Sequence, residues 1–259
     1  MAATALFELD RVGLEVDGHR ILCDVSLTVP DGGITVLLGP SGAGKTTILR
    51  LLNRLEVPTS GEVRLLGQPI DELDPLRLRR RVGMVFQRPV VFPGTARDNL
   101  LTAHSGATDD ELAPRLREAG LDTDVLDQVA DDLSGGEAQR LCLARTLATD
   151  PEILLMDEPT SSLDPEARRR LEATSRALVS EGMRMVWVTH DLAQADRLAD
   201  HRVVIVDGRL ATEAETARYL ADGSVADGRL ADGNVDHGSV DDRSVDHGSG
   251  AADEGGGDA

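Results

Sequence analysis

The sequence predicts an α/β fold: a mixed central sheet, an N-terminal antiparallel β-layer, and a helical subdomain inserted between two strands of the sheet. Three observations predict it. Apolar runs at 34–38, 82–86, 153–156 and 185–188 end in polar or acidic residues and are separated by segments of helical period. Ahead of residue 30, short alternating runs flank the turn residues Asp17-Gly18. Between 88 and 150 the strand pattern stops, and Pro89, Pro93 and Gly94 give way to two helix-period stretches.

In chain order, Leu6–Leu9, Val12–Val16 and Ser26–Val29 read as short strands of the antiparallel layer. The apolar strand Ile34–Leu38 then delivers Gly39-Pro40-Ser41-Gly42-Ala43-Gly44-Lys45-Thr46, the pattern G-x-x-x-x-G-K-T, ahead of the periodic run Ile48, Leu49, Leu51, Leu52. That strand–loop–helix setting is the one a phosphate loop needs. The three glycines let backbone N–H groups turn inward, and the helix N-terminus adds its positive dipole end. Lys45 would bring a mobile charge to the β- and γ-phosphates, and the Thr46 hydroxyl would ligate Mg²⁺. The chain holds 26 arginines and a single lysine, and that lysine is Lys45. A planar guanidinium does not replace a compact ammonium at this position.

Gly61–Leu66 reads as a further strand. The basic run Arg77–Arg81 leads into Val82–Phe86, which ends at Gln87. An amide at the carboxyl end of a parallel strand sits where ligands bind in open sheets, although by itself it is also an ordinary solvated strand end. Asp109–Glu118 and Gly136–Ala148 have helical period. Leu133-Ser134-Gly135-Gly136-Glu137 stands at the start of the second, where Ser134 suits an N-cap and the glycines leave N–H groups uncovered. This is an anion site without its own lysine, or a capped helix and nothing more.

Ile153–Met156 delivers Asp157 and Glu158 at a strand end. Asp157 is placed to hold Mg²⁺, and Glu158 to face the γ-phosphate as a base for water; taken alone, the pair also reads as a loop start. Asp164 precedes Pro165 and a long helix, a position that also suits a simple cap. Met185–Val188 ends in Thr189-His190-Asp191, and an imidazole there could reach the γ-phosphate. His19, His104 and His201 read as surface residues. Asp191–Leu198 is a helix, and Val203–Val206 a strand.

Composition narrows the function classes. The net charge is −19; ten acids and two arginines from residue 221 onward carry eight of those negative charges, leaving eleven on the rest. The charge argues against free nucleic acid as the main partner, since its binding depends on basic patches. Acidic surface with almost no lysine fits a salt-rich cytosol, where screening removes self-repulsion. No apolar run reaches the length of a membrane span, and the first residues lack the pattern of a signal peptide. Cys23 and Cys142 have no paired spacing and read as reduced core thiols.

Gly39–Thr46, Gln87, Leu133–Glu137, Ile153–Glu158, Ser162-Leu163-Asp164 and His190 occur in the order and approximate spacing of the ATP-binding-cassette (ABC) ATPases, and the Leu-Ser-Gly-Gly-Glu signature is specific to that family. The resemblance covers about Leu6 to Tyr219. It implies a P-loop NTPase cassette that hydrolyses ATP with Mg²⁺, paired head to tail with a second copy so that two ATPs lie between them. Gly39 to Thr47 and Asp157 would bind one ATP, with Thr46, Asp157 and Gln87 on the metal side. Ser134, Gly135 and Gly136 of the other copy would cover its γ-phosphate. Glu158 would polarise water, His190 would hold the γ-phosphate, Gln87 would sense it, and Asp164 would act across the dimer. The family's adenine-stacking ring is replaced here by Val16, from the alignment of Val25-Ser26-Leu27.

The resemblance is to a detached transporter subunit. It implies a separate membrane permease docked near Arg88–Leu101, an optional solute-binding protein, and a place on the inner face of the cell membrane. Arg79–Pro93 and Arg140–Arg145 look most like cassettes of phosphate and related oxyanion importers. Trp187–His190 also resembles a metal-export subfamily, and a soluble non-transport cassette ATPase stays open as another class. The domain reading is one ABC ATPase domain over 1–220, with 88–150 as its helical subdomain, and an acidic Gly/Asp-rich tail over 221–259. The tail repeats five residues with one branched apolar side chain per repeat, too little to offset the entropy of ordering. A pentapeptide solenoid or calcium-binding repeats are the alternatives.

Overall fold

The computed structural model of the protein describes residues 5–223. The expectation of a disordered tail over 221–259 falls, from 224 on, outside them.

β1 (Ala5–Val16) and β2 (His19–Pro30) pair antiparallel across Asp17-Gly18, whose φ angles of 50° and 78° suit a two-residue hairpin. The sequence-predicted strands Leu6–Leu9 and Val12–Val16 are one strand. Its register slips between Leu9 and Val12 against β2 and between Asp10 and Gly13 against the strand Ser60–Leu65, and Arg11 takes φ +47°. The extra residue resets the alternation, so that Leu9 and Val12 both face the core despite their odd spacing. β2 also starts earlier than Ser26, because His19 and Arg20 pair opposite Val16 and Glu15. β4 (Ser60–Leu65) and β5 (Gln68–Pro69) complete a four-stranded sheet in the order β2-β1-β4-β5.

The second sheet contains β3 (Ile34–Leu38), β6 (Val82–Val85), β7 (Ile153–Asp157), β8 (Arg184–Val188), β9 (His201–Val206) and β10 (Arg209–Leu210), ordered β10-β9-β3-β8-β7-β6. All neighbours are parallel except β10, which runs antiparallel to β9 and makes the sheet mixed. Alternation sends Leu37, Leu155, Val186 and Val188 toward the β-layer. Ile34, Val36, Leu38, Leu154, Met156, Met185 and Trp187 face the helices on the other side. A sheet buried on both faces needs apolar residues at consecutive positions, which is why these strands read as continuous apolar runs.

α1 (Lys45–Leu52) is only eight residues, short of what stands alone in water. Ile48, Leu49, Leu51 and Leu52 are fully buried, at roughly 1.5–3 kcal/mol each, and that packing fixes the phosphate loop to the core. The basic run Arg77–Arg81 belongs to α2 (Pro75–Arg81), capped by Asp74 with Pro75 at the first helical position. β6 stops one residue short of the sequence-predicted end, leaving Phe86 exposed.

Between β6 and β7 lie α3 (Ala96–Leu101), α4 (Asp109–Glu118), two short 3₁₀ turns and α5 (Gly135–Leu147). α6 (Pro165–Ser180), α7 (Leu192–Leu198) and α8 (Glu213–Asp222) follow, and Gly223 caps the last in the left-handed conformation. Cys142 is buried, whereas Cys23 is only half-buried rather than a core thiol; both are free. Among the described residues no helix is long and apolar enough to cross a membrane.

Candidate functional site

Gly39 to Thr46 wraps the junction of β3 and α1. Gly39 (φ +145°) has no room for a side chain, since a Cβ there would meet the Ile205 carbonyl oxygen at 2.0 Å; at Gly44 (φ +95°) it would meet Leu22 at 2.7 Å. A Cβ on Gly42 would meet nothing within 4 Å, so the outer rim of the loop is open. Lys45 is 5% exposed, and its Nζ donates to the carbonyl oxygens of Gly39 and Pro40, both at 2.8 Å. Burial lowers its pKa; the nearby Glu158 and Asp157 oppose that.

Asp157 ends β7, beside β3's neighbour β8, and accepts from the Thr46 hydroxyl at 2.8 Å. Burial raises its pKa and the Glu158 charge adds to this, against the pull of the Thr46 hydrogen bond. A half-buried hydroxyl beside a buried carboxylate is an oxygen pair suited to a hard divalent cation that keeps most of its own waters. Among the described residues no cluster of three or more His, Cys, Asp or Glu could hold a metal unaided.

Glu158 takes φ +40°, an uncommon conformation for a side-chain-bearing residue, costing on the order of 1–3 kcal/mol. The hydrogen bond from its N–H to the Val188 carbonyl (3.1 Å) holds it there. Its carboxylate Oε2 lies 3.1 Å from Nδ1 of His190, which extends from the end of β8. Glu158 thus starts the loop after β7 and lies against a second titratable group.

The other sequence-predicted residues gather elsewhere. Ser134 caps α5 through a reciprocal box with Glu137: Glu137 N–H donates to Ser134 Oγ at 3.3 Å, and Ser134 N–H donates to Glu137 Oε2 at 2.9 Å. The Ser134 side-chain hydrogen bond pulls the Glu137 pKa down. Ser134, Gly136 and Asp164 line one pocket of about 200 Å³ with Arg140 and Arg170, and no residue of the phosphate loop borders it. A Cβ on Gly135 would meet nothing within 4 Å, so this helix start is open. Asp164 does cap α6, accepting from the Glu166 and Ala167 N–H groups at 2.8 and 3.0 Å. Arg140 is 8% exposed with its Nε buried and unpartnered, and the sequence reading did not single it out.

Gln87 is exposed just past β6. Gln139, fully buried on α5, donates to the Phe86 carbonyl at 3.1 Å and so joins the signature helix to the Gln87 turn. Beside that turn lies a cavity of about 500 Å³, lined among others by Phe86, Val90, Phe92, Cys142 and Arg145. Phe86, Val90 and Phe92 are exposed at 45%, 60% and 43%, and Arg145 stacks over the Phe92 ring at 4.5 Å. Val16, the expected adenine neighbour, is exposed at 46%. His19, His104 and His201 are on the surface.

Known proteins resemble this chain over most of its length. The ABC transporter family model matches residues 22–161. The phosphate import ATP-binding protein PstB 2 of Mycobacterium tuberculosis is 43% identical over 235 residues, covering 79% of this chain and 84% of that protein. The phosphate import ATP-binding protein PstB 3 of Natronomonas pharaonis is 40% identical over 215 residues and 78% of each chain. Among solved structures, a bacterial Atm1-family ABC exporter with ATP bound is similar at TM-score 0.73 and 32% identity, over 82% of this chain and 40% of that one. The chain belongs to the ABC transporter family, as one of its ATP-hydrolysing cassettes.

Proposed function

We propose that the chain powers import of phosphate or a related oxyanion through a separate membrane permease, as the ATPase subunit on the inner face of the membrane. The observation that carries the transport reading is the apolar groove beside Gln87, linked by Gln139 to the helix that Ser134 caps. A permease segment seated there would be coupled to both ends of the nucleotide machinery. Support for phosphate comes from relatives named as phosphate import proteins at 40–43% identity. The exporter neighbour keeps outward transport as a second reading.

In this reading the open rim of the phosphate loop takes the ATP phosphates, and Lys45 exchanges its two carbonyl partners for β- and γ-phosphate oxygens. Thr46 and Asp157, with Gln87, would hold Mg²⁺, which when bound supplies positive charge against the phosphates. Glu158 accepts a proton from the attacking water, and His190 orients the γ-phosphate. Ser134 to Gly136 form an anion-facing helix start with no lysine in their own pocket, which fits them to the ATP of a second copy. Asp164 borders the same pocket and would signal across that interface.

The test is reconstitution in proteoliposomes at high salt with a candidate multi-span permease. ATP-driven accumulation of labelled phosphate, abolished by Lys45→Ala, is the expected result. ATP turnover with no oxyanion movement would assign another cargo.

A further inference from the structure

We infer that Gln194 is a positioning residue for hydrolysis, its buried amide tying the loop that carries Glu158 to the loop that carries His190. The inference rests on the roles proposed for those two residues. Gln194 is 1% exposed and lies on the buried stripe of α7 with Ala195 and Leu198. Its amide meets three elements. Nε2 donates to Thr160 Oγ1 at 2.9 Å, two residues past Glu158, and to Glu172 Oε1 on α6 at 2.9 Å. Oε1 accepts from Trp187 Nε1 on β8 at 3.3 Å. The orientation is forced, because the indole can only donate and the carboxylate of Glu172 can only accept.

The backbone of Gln194 is held as well. Its N–H donates to Asp191 Oδ1 at 3.0 Å, and Asp191 directly follows His190. The second Asp191 oxygen accepts from Arg168 Nη1 at 3.1 Å, so α6 braces that loop from outside. Glu172 is clamped in turn by Arg197 through two contacts of 2.8 Å. Glu158, Thr160, Thr189, His190 and Gln194 border one small pocket of about 90 Å³. No residue of the phosphate loop takes part in these contacts. A network of this shape sets the distance between the proposed base and the imidazole while leaving ATP binding to other residues.

The experiment compares wild type, Gln194→Leu, Gln194→Glu and Glu158→Gln in Mg²⁺-ATP hydrolysis at high salt. Gln194→Leu should lower kcat by about 10- to 100-fold, the scale of small misplacements at a reacting centre, with KM for ATP nearly unchanged. Gln194→Glu puts a carboxyl against Glu172 and can keep the network only while protonated. The other charged groups facing it are Arg197, Arg168, Asp191, Glu158 and His190. Its kcat should therefore rise toward wild type as pH falls, whereas the leucine variant should follow the wild-type pH profile. A purely structural role would lower the unfolding midpoint without this pH-dependent recovery. Should Gln194→Leu fail to fold, Thr160→Val removes one partner only and should show the same selective loss of kcat. Wild-type kcat in Gln194→Leu, or in Thr160→Val if the former does not fold, overturns the inference, as does a Gln194→Glu variant with no recovery at lower pH. Wild-type turnover in Glu158→Gln would instead overturn the catalytic roles beneath it.

Discussion

Replacing Thr46 by valine keeps the side chain's shape and removes only the hydroxyl that donates to Asp157 at 2.8 Å. Asp157 is 4% exposed, so its carboxylate finds no replacement donor in bulk water. A hydrogen bond to a charged group contributes about 1.5–3 kcal/mol. In a domain of this size each kcal/mol moves the midpoint by roughly 2–4 °C, so Thr46→Val should lower the nucleotide-free midpoint by about 3–12 °C. The loss has a pH signature. The Thr46 bond stabilises the ionised carboxylate, whose pKa burial has already raised, so the drop should be full above that raised pKa and shrink as Asp157 protonates in acid. Thr46→Ser should restore both midpoint and Mg²⁺-dependent turnover. Calorimetry at several pH values and a Mg²⁺ titration of ATP hydrolysis measure the two consequences. A valine variant within a degree of wild type, with unchanged Mg²⁺ dependence, would refute the reasoning.

Four further outcomes are expected. Glu158→Gln should bind ATP without turning it over and accumulate an ATP-stabilised dimer on size-exclusion chromatography; a monomeric, active variant places the base elsewhere. Asp157 has a raised folded pKa, so its favourable contribution is complete below the ordinary aspartate range and lost as pH rises through the raised value. Asp157→Asn should therefore raise the nucleotide-free midpoint near neutral pH, fade to no advantage in acid, and lose Mg²⁺-ATP hydrolysis, as thermal scans across pH would show. Val16→Tyr, at an exposed position, should tighten ATP binding by up to about 1 kcal/mol in a fluorescent-nucleotide titration. Truncation after Gly223, which leaves the α8 cap intact, should preserve activity and midpoint at high salt; a loss of several degrees would show that 224–259 supports the fold.

What could be read from the sequence followed a simple physical division. Motifs whose chemistry needs adjacent residues were legible: the glycines around Lys45, the Ser134 cap and the acids at the end of β7 each declare themselves within a few positions. The strands of the buried sheet were legible because burial on both faces demands unbroken apolar runs. The β1 bulge was not, since Asp10-Arg11 looks like a break between strands and only pairing with both neighbours shows it to be one extra residue. The Thr160–Gln194–Glu172 network was missed because its members are far apart in sequence. The one local signal was a polar Gln194 in phase with Ala195 and Leu198 on the buried stripe of a short helix. The groove beside Gln87 was anticipated only as a docking region, since Phe86, Val90 and Phe92 meet Cys142 and Arg145 of α5 only through the fold.

The solitary Lys45 makes this protein its own reporter. A protease that cuts only after lysine has one site in the chain, where the phosphate loop enters α1, and there it would separate 1–45 from 46–259. With the ammonium tucked against two carbonyls and the residue 5% exposed, cleavage requires the loop to open. A single band splitting into two on a gel therefore times that opening directly, without a label or an engineered residue. Amine-acylating reagents offer the same reading by mass, since apart from the chain's own α-amino group there is nowhere else for them to react. Nucleotides that occupy the loop should slow both reactions in proportion to their occupancy, giving an affinity scale for any candidate ligand in the intact chain.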